Sequence, residues 1–328
     1  MRTGKHRLLL AVVLLGHSAL AASAMATHHA AAGESAKLQA WRAAAVASLL
    51  ERADADSLAT AAAFMFAAPA PALQSEGLLI AGRAAAISPN DAAVGWLRLR
   101  LCAMAAACDF RSVATDMRWL DAENAAAWLP NLAAAYREHD AIEVDRVLMD
   151  MAQSKRLDVY WNRIVVFMFE SLRTAEKFLP GAMRMTDAAR LALVEGTAGP
   201  EVLPPFTALM DACRDAATGT ERRESCLKVA KLMQRSDAIP AQMAGLAIER
   251  HALRSDSREA RALAERRHVL EWRSATAAKF DAPLLPWLRN SRARWRLARM
   301  RSLGSDEDVT IAILREQGMP LEPPKEKR

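Results

Sequence analysis

Leu120–Tyr136 reads LDAENAAAWLPNLAAAY. One helix ends at Leu120-Asp121, a short polar turn follows, and a second helix begins near Glu123 with Trp128, Leu132, Ala135 and Tyr136 on its buried side. The arrangement recurs to either side of this stretch. Trp96, Trp128 and Trp161 stand 32 and 33 residues apart. Each follows a turn that carries an acid: Ser88-Pro89-Asn90-Asp91, Asp121-Ala122-Glu123-Asn124 and Arg156-Leu157-Asp158. After the first two tryptophans, Cys108-Asp109-Phe110 and His139-Asp140-Ala141 turn the chain into the second helix of each pair. Two helices per unit at a period of roughly 33 residues is the pattern of a helical solenoid.

Composition points the same way. Aromatic residues are 5% of the 328 and alanine is abundant. Alanine enters a helix at no side-chain entropy cost and lets helices approach closely. No period-2 run of Val, Ile, Thr and aromatics marks a strand. The fold class expected is therefore all-α.

The residues Leu120-Asp121-Ala122-Glu123-Asn124-Ala125-Ala126-Ala127-Trp128, with Leu132, Tyr136 and Asp140, resemble the tetratricopeptide repeat family. Ala85-Ala86-Ile87-Ser88-Pro89-Asn90 is similar to the closing end of a preceding unit. The sequence departs from the family in carrying Ala122 where Pro is usual, and Cys108 and His139 where Gly is usual. The resemblance runs from Leu73 to Leu172 and implies a right-handed α-solenoid of antiparallel helix pairs. Such solenoids present a concave groove lined by the first helix of each unit. Leu97, Met104, Tyr136, Asn162 and Phe169 are the candidates to face it, with packing in the core as the other reading.

The N-terminus reads as an export signal. Arg2, Lys5 and Arg7 form a basic start, Leu8–Leu15 a short apolar run, and Ala24-Met25-Ala26 a cleavage site before Thr27. The run is far short of the ~20 apolar residues that span a bilayer. No cysteine stands at the cleavage site to take a lipid anchor. The expected product is exported, and periplasmic in a two-membrane bacterium. Three of the basic residues behind the +6 formal charge lie in that leader. What remains is too mild to imply nucleic acid.

Cys102, Cys108, Cys213 and Cys226 are an even set in an exported chain, and their order suggests the pairs Cys102–Cys108 and Cys213–Cys226. Six residues of unbroken helix would hold the first pair about 9 Å apart, too far to bridge. Either the helix ends between them or the pairing differs. Closing the second loop contributes on the order of 3 kcal/mol.

The organisation expected is a signal peptide over 1–26, a disordered leader over 27–37, repeats over 38–172, a less regular helical half over 173–318 and a flexible tail over 319–328. Within these, Asp56-Ser57 opens a helix that stops before Ala68-Pro69-Ala70-Pro71. Thr186–Val194 is helical, Gly196–Pro205 is a loop, and two helices meet at Gly219. Ala238–Leu253 and Arg258–Trp272 form a further pair, and Glu307–Gln317 forms a last helix capped by Ser305.

From Pro286 to Leu303 there are six arginines and no acid. Arg289, Arg292, Arg296 and Arg299 share one helix face, with Leu284, Leu288, Trp295 and Ala298 opposite. That face either docks an anionic surface or pairs with acids such as Asp306–Asp308.

Chemistry is hard to place. Ser225-Cys226-Leu227-Lys228 matches S-x-x-K, but the S-D-N and K-T-G elements that accompany it in penicillin-recognising enzymes are missing. The sequence holds no G-x-S-x-G, H-E-x-x-H, P-loop or G-x-G-x-x-G. His139, His251 and His268 are isolated, and His28-His29 lie in the leader. No catalytic residue, cofactor or metal is assigned. The reading is an exported scaffold for a protein or peptide partner. The alternative is an enzyme with its site between the two halves, which requires a deep pocket of polar groups with displaced ionisation.

Overall fold

A computed structural model describes residues 37–215, 220–253, 256–281 and 286–324. The export signal, most of the leader, Leu284 and the Gly219 turn lie outside them. The described residues are all-helical, and their one extended pairing is an isolated bridge between Asn124 and Arg156.

The first helix, α1, covers residues 37–52 and buries Trp41, Ala45 and Leu49, one residue per turn. Ala53, at φ +53°, turns the chain into α2 (Ala55–Phe66). The cap of α2 is Asp54, two residues before the expected Asp56, and it accepts from the Ser57 amide. Nearly every residue of α2 is buried, which makes it a central rather than a surface helix. Its alanines admit α3 (Pro71–Ile87) so closely that a Cβ on Gly77 would lie 3.0 Å from the Ala62 carbonyl oxygen.

Asp91 caps α4 (Ala92–Met104), accepting from the amides of Ala93 and Val94. This helix stops between Cys102 and Cys108, bringing their Cα atoms to 5.3 Å, and the two form a disulfide. Asp109 caps α5 (Phe110–Leu120). The chain does not re-enter an α-helix at Glu123. Asn124 caps a single 3-10 turn, Ala125–Trp128, and α6 (Leu129–Arg137) begins after it with Pro130 in its first turn, where a missing N–H costs nothing.

His139, where the repeat family carries glycine, has φ +55°. The left-handed backbone that glycine favours is kept there by a residue that tolerates it moderately. Cys108 is not among the positive-φ residues. Asp140 caps α7 (Ala141–Ala152).

Tyr160, at φ +57°, leads into α8 (Trp161–Ala175), whose buried residues run around most of its circumference. The helix packs against α2, α4, α9 (Asp187–Val202) and α14 (Pro286–Ser302). The expected loop at Gly196–Pro205 is instead largely helical, since α9 continues through Pro200 and buries Thr197, Ala198, Glu201 and Val202. Packing of that end against α4 overrides the local breakers. Next come α10 (Thr207–Asp215) and α11 (Thr220–Met233), joined by the Cys213–Cys226 disulfide. The α11 helix rests on α7 and on α12 (Ile239–His251), which in turn meets α13 (Arg258–Asp281). Ser305 caps α15 (Asp306–Glu316) by accepting from the Asp308 amide, and Gly318 at φ +63° ends it.

One buried apolar cluster runs from Trp41 to Leu314, so residue 172 is no packing boundary. The segment after Gly318 is not wholly loose either. Met319 and Leu321 pack on the core, and Arg273 donates to the Leu321 carbonyl at 2.8 Å.

Candidate binding cleft

A cleft of about 710 Å³ opens between α4, α6 and the 200–211 segment. Met104, Phe110, Leu129 and Tyr136 line one side, and Pro200, Leu203, Pro204 and Pro205 the other. Prolines hold that second wall in a fixed path. The polar lining consists of Arg100, Arg137, Thr207 and Asp211.

Arg100 is the unusual member. It lies one turn after Trp96 on the packed side of α4 and is 4% exposed. Its Nη2 donates to the carbonyls of Leu203 at 3.1 Å and Pro200 at 3.4 Å, while Nε has no acceptor. No carboxylate comes within ion-pair distance among the described residues, and burial pushes its ionisation down to about 10. Glu201 is close enough to be felt, but burial raises its carboxyl toward the neutral form. Trp96 beside it is fully buried and donates Nε1 to the Val202 carbonyl at 3.2 Å. Together these contacts fasten the end of α9 across α4.

Five residues carried the groove expectation, and the structure divides them. Met104 and Tyr136 line the cleft. Leu97 and Phe169 are core, 1% and 2% exposed: α8 and α9 pack on α4, which bears Leu97, and α9 packs on α8, which bears Phe169. Asn162 is also buried and donates to the Leu303 carbonyl at 3.3 Å. The three tryptophans differ as well. Trp96 is fully buried in α4, Trp128 is half-buried with the Arg118 guanidinium 4.2 Å over its ring, and Trp161 is half-buried as the first residue of α8.

The arginine face of α14 meets acids. Arg296 lies 3.1 Å from Glu195 and 3.8 Å from Asp306. Arg299 pairs with Glu316, and Arg289 and Arg292 are likewise engaged. The buried side of α14 is Ala293, Leu297 and Met300, whereas Ala298 is exposed and Trp295 half-buried under Arg299.

A second polar cluster joins the acid-bearing turns. Tyr160 donates its phenol to Asp121, and Arg156 pairs with the same carboxylate. The Asn124 side chain donates to the Asp158 carbonyl at 2.9 Å and accepts from its amide at 2.9 Å. Asp237, from the turn before α12, accepts from the amides of Val159 at 2.8 Å and Trp161 at 2.9 Å. Its backbone carbonyl accepts from the Asp306 amide at 2.8 Å. Burial, and then the neighbouring Asp158, push the Asp237 carboxyl up to about 6. This cluster ties the turns before α6, α8, α12 and α15 together rather than lining the cleft.

Sequence reasoning had no hold on Arg100 or Asp237. An arginine one turn from a buried tryptophan is the available signal for the first. An acid two residues ahead of Ile239-Pro240 is the signal for the second. Among the described residues no group of three or more His, Cys, Asp or Glu could hold a metal ion, and no helix is long and apolar enough to cross a membrane. Compared with family models, curated proteins and solved structures, the chain has no match.

Proposed function

We propose that the protein is an exported helical-repeat binding module. In this reading α2–α3, α4–α5 and α6–α7 are stacked antiparallel pairs of a right-handed solenoid, resumed by α11–α12. The segment from α8 to α10 folds back over the concave side and leaves the cleft as the open part of the groove. Supporting the reading, the members of each of these pairs pack on one another, α7 contacts α11, and α9 contacts both α2 and α4. Two disulfides fit an oxidising compartment such as the periplasm.

The observation that carries the functional reading is the cleft itself, an apolar-walled opening of about 710 Å³ with few polar groups. Its size falls within the roughly 300–1,000 Å³ of ligand sites. An enzyme would gather several displaced acids and bases around one opening, whereas the cleft lining holds one displaced group, Arg100, and Asp237 and Tyr160 are bound up in the turn cluster. Docking on an anionic surface would need free arginines on α14, and those of the stripe are paired or engaged.

Uptake of an apolar fluorescent probe, N-phenyl-1-naphthylamine, tests the reading. The mature chain should take up one probe per molecule, and Ala133→Trp, which fills the cleft from α6, should abolish uptake with the helical circular dichroism unchanged. No uptake, or uptake indifferent to Ala133→Trp, overturns it.

A further inference from the structure

We propose that the cleft binds an apolar monocarboxylate, a fatty-acid-like molecule, with its acid group ion-paired to Arg100 and its hydrocarbon body against Met104, Leu129 and Pro204. The inference rests on the reading of the cleft as a ligand site.

Charge is the first argument. A guanidinium that is 4% exposed, with one donor lacking an acceptor and no ion pair among the described residues, is a buried cation that Glu201 compensates only from a distance. Removing a charge from water costs several kcal/mol unless an opposite charge meets it. The other acid on the cleft, Asp211, already pairs with Arg214 at 2.9 Å. Glu201, the acid nearest in sequence to the Arg100 contacts, forms no ion pair with it among the described residues. A ligand carboxylate supplies the missing countercharge, and the planar fork of arginine suits its two oxygens.

The second argument is what the walls fail to offer. Pro130, Pro200, Pro204 and Pro205 have no N–H, and Leu129, Ala133 and Met104 lie in helices whose amides bond internally. The carbonyls of Pro200 and Leu203 already accept from Arg100. An extended peptide laid here would bury more amides and carbonyls than Arg137, Thr207 and Asp211 can partner, at a penalty for each one left over. A hydrocarbon chain has no such groups. The apolar walls therefore select an alkyl body over a polypeptide, and Arg100 selects an acid head.

Calorimetry with the full mature chain decides the matter, using dodecanoate, dodecan-1-ol of the same chain length and a short apolar peptide amide. Dodecanoate should bind one to one and on the order of tenfold or more tighter than the alcohol, the usual worth of a hydrogen bond to a charged group. Arg100→Met should erase that preference while the alcohol still binds. If Arg100→Met does not fold, Arg100→Gln makes the same comparison with a neutral hydrogen-bonding side chain. Equal affinities for acid and alcohol, a preference that survives the loss of charge, or tighter binding of the peptide overturns the ligand assignment and leaves the binding-module reading standing. If neither dodecanoate, dodecanol, peptide nor the naphthylamine probe binds, both fall.

Discussion

Gly245 offers a substitution whose sign depends on tertiary structure alone. It lies inside α12, where glycine to alanine ordinarily stabilises a helix by about 1 kcal/mol. Here a Cβ would lie 2.6 Å from the Ala230 carbonyl oxygen, 2.7 Å from the Met233 Cβ and 3.0 Å from the Gln234 nitrogen, all on α11 or at its end. These are backbone atoms or atoms fixed to it, so no side-chain rotation relieves the contact. The helices must separate by roughly 0.5–1 Å, which forfeits a quarter to a half of the dispersion energy between facing atoms. Nor is α11 free to yield, since it rests on α7 and is tied to α10 through Cys213–Cys226. Overpacking of this kind costs about 1–3 kcal/mol.

Gly196 is the matched control. It is exposed, lies within α9, and a Cβ there would meet nothing within 4 Å. Gly196→Ala should stabilise by about 0.5–1 kcal/mol, and Gly245→Ala should destabilise by up to about 2 once its propensity gain is set against the overpacking cost. Urea unfolding followed by circular dichroism separates the two, because their midpoints should move in opposite directions at constant slope. A Gly245→Ala protein as stable as its parent would refute the close approach of α11 and α12.

Two other predictions follow from single residues. Asp237 holds its proton more tightly when folded, near pH 6 rather than 3.8, so its contribution is fully present below about pH 4 and declines as pH rises through 6. That decline amounts to up to about 3 kcal/mol, of which about 2 falls between roughly pH 4.5 and pH 7.5. Unfolding midpoints of the parent should therefore drop over that interval relative to Asp237→Asn, and parallel pH profiles would contradict the assignment. His139 holds φ +55° without being glycine. His139→Gly should raise stability by about 1 kcal/mol, read as a higher urea midpoint, and a lower one would show that its side chain matters more than its backbone.

Local features were legible because their causes are local. The periodicity of buried residues announces each helix, and Asp91, Asp140 and Ser305 announce their starts because a short polar side chain can satisfy amides two or three residues ahead. The Cys102–Cys108 spacing called for a helix end or a different pairing, and α4 ends between them at Met104. Equal spacing of the three tryptophans was less informative. Trp96 is fully buried whereas Trp128 and Trp161 are half-buried, because burial depends on what packs over each helix and not on spacing along the chain.

The sequence by itself determined that the chain is helical and roughly where many of its helices begin, since hydrogen bonds and sterics within a few residues decide these; it suggested the cysteine pairs, and the structure settled them. Tertiary structure alone decided that α8 and α9 pack on α4 and on each other with Leu97 and Phe169 buried, that α9 runs on through Pro200, and that Arg100 is held against the carbonyls of Pro200 and Leu203. Those outcomes turn on contacts between residues about a hundred positions apart, and the free energy of burying one face against another is written in neither segment alone.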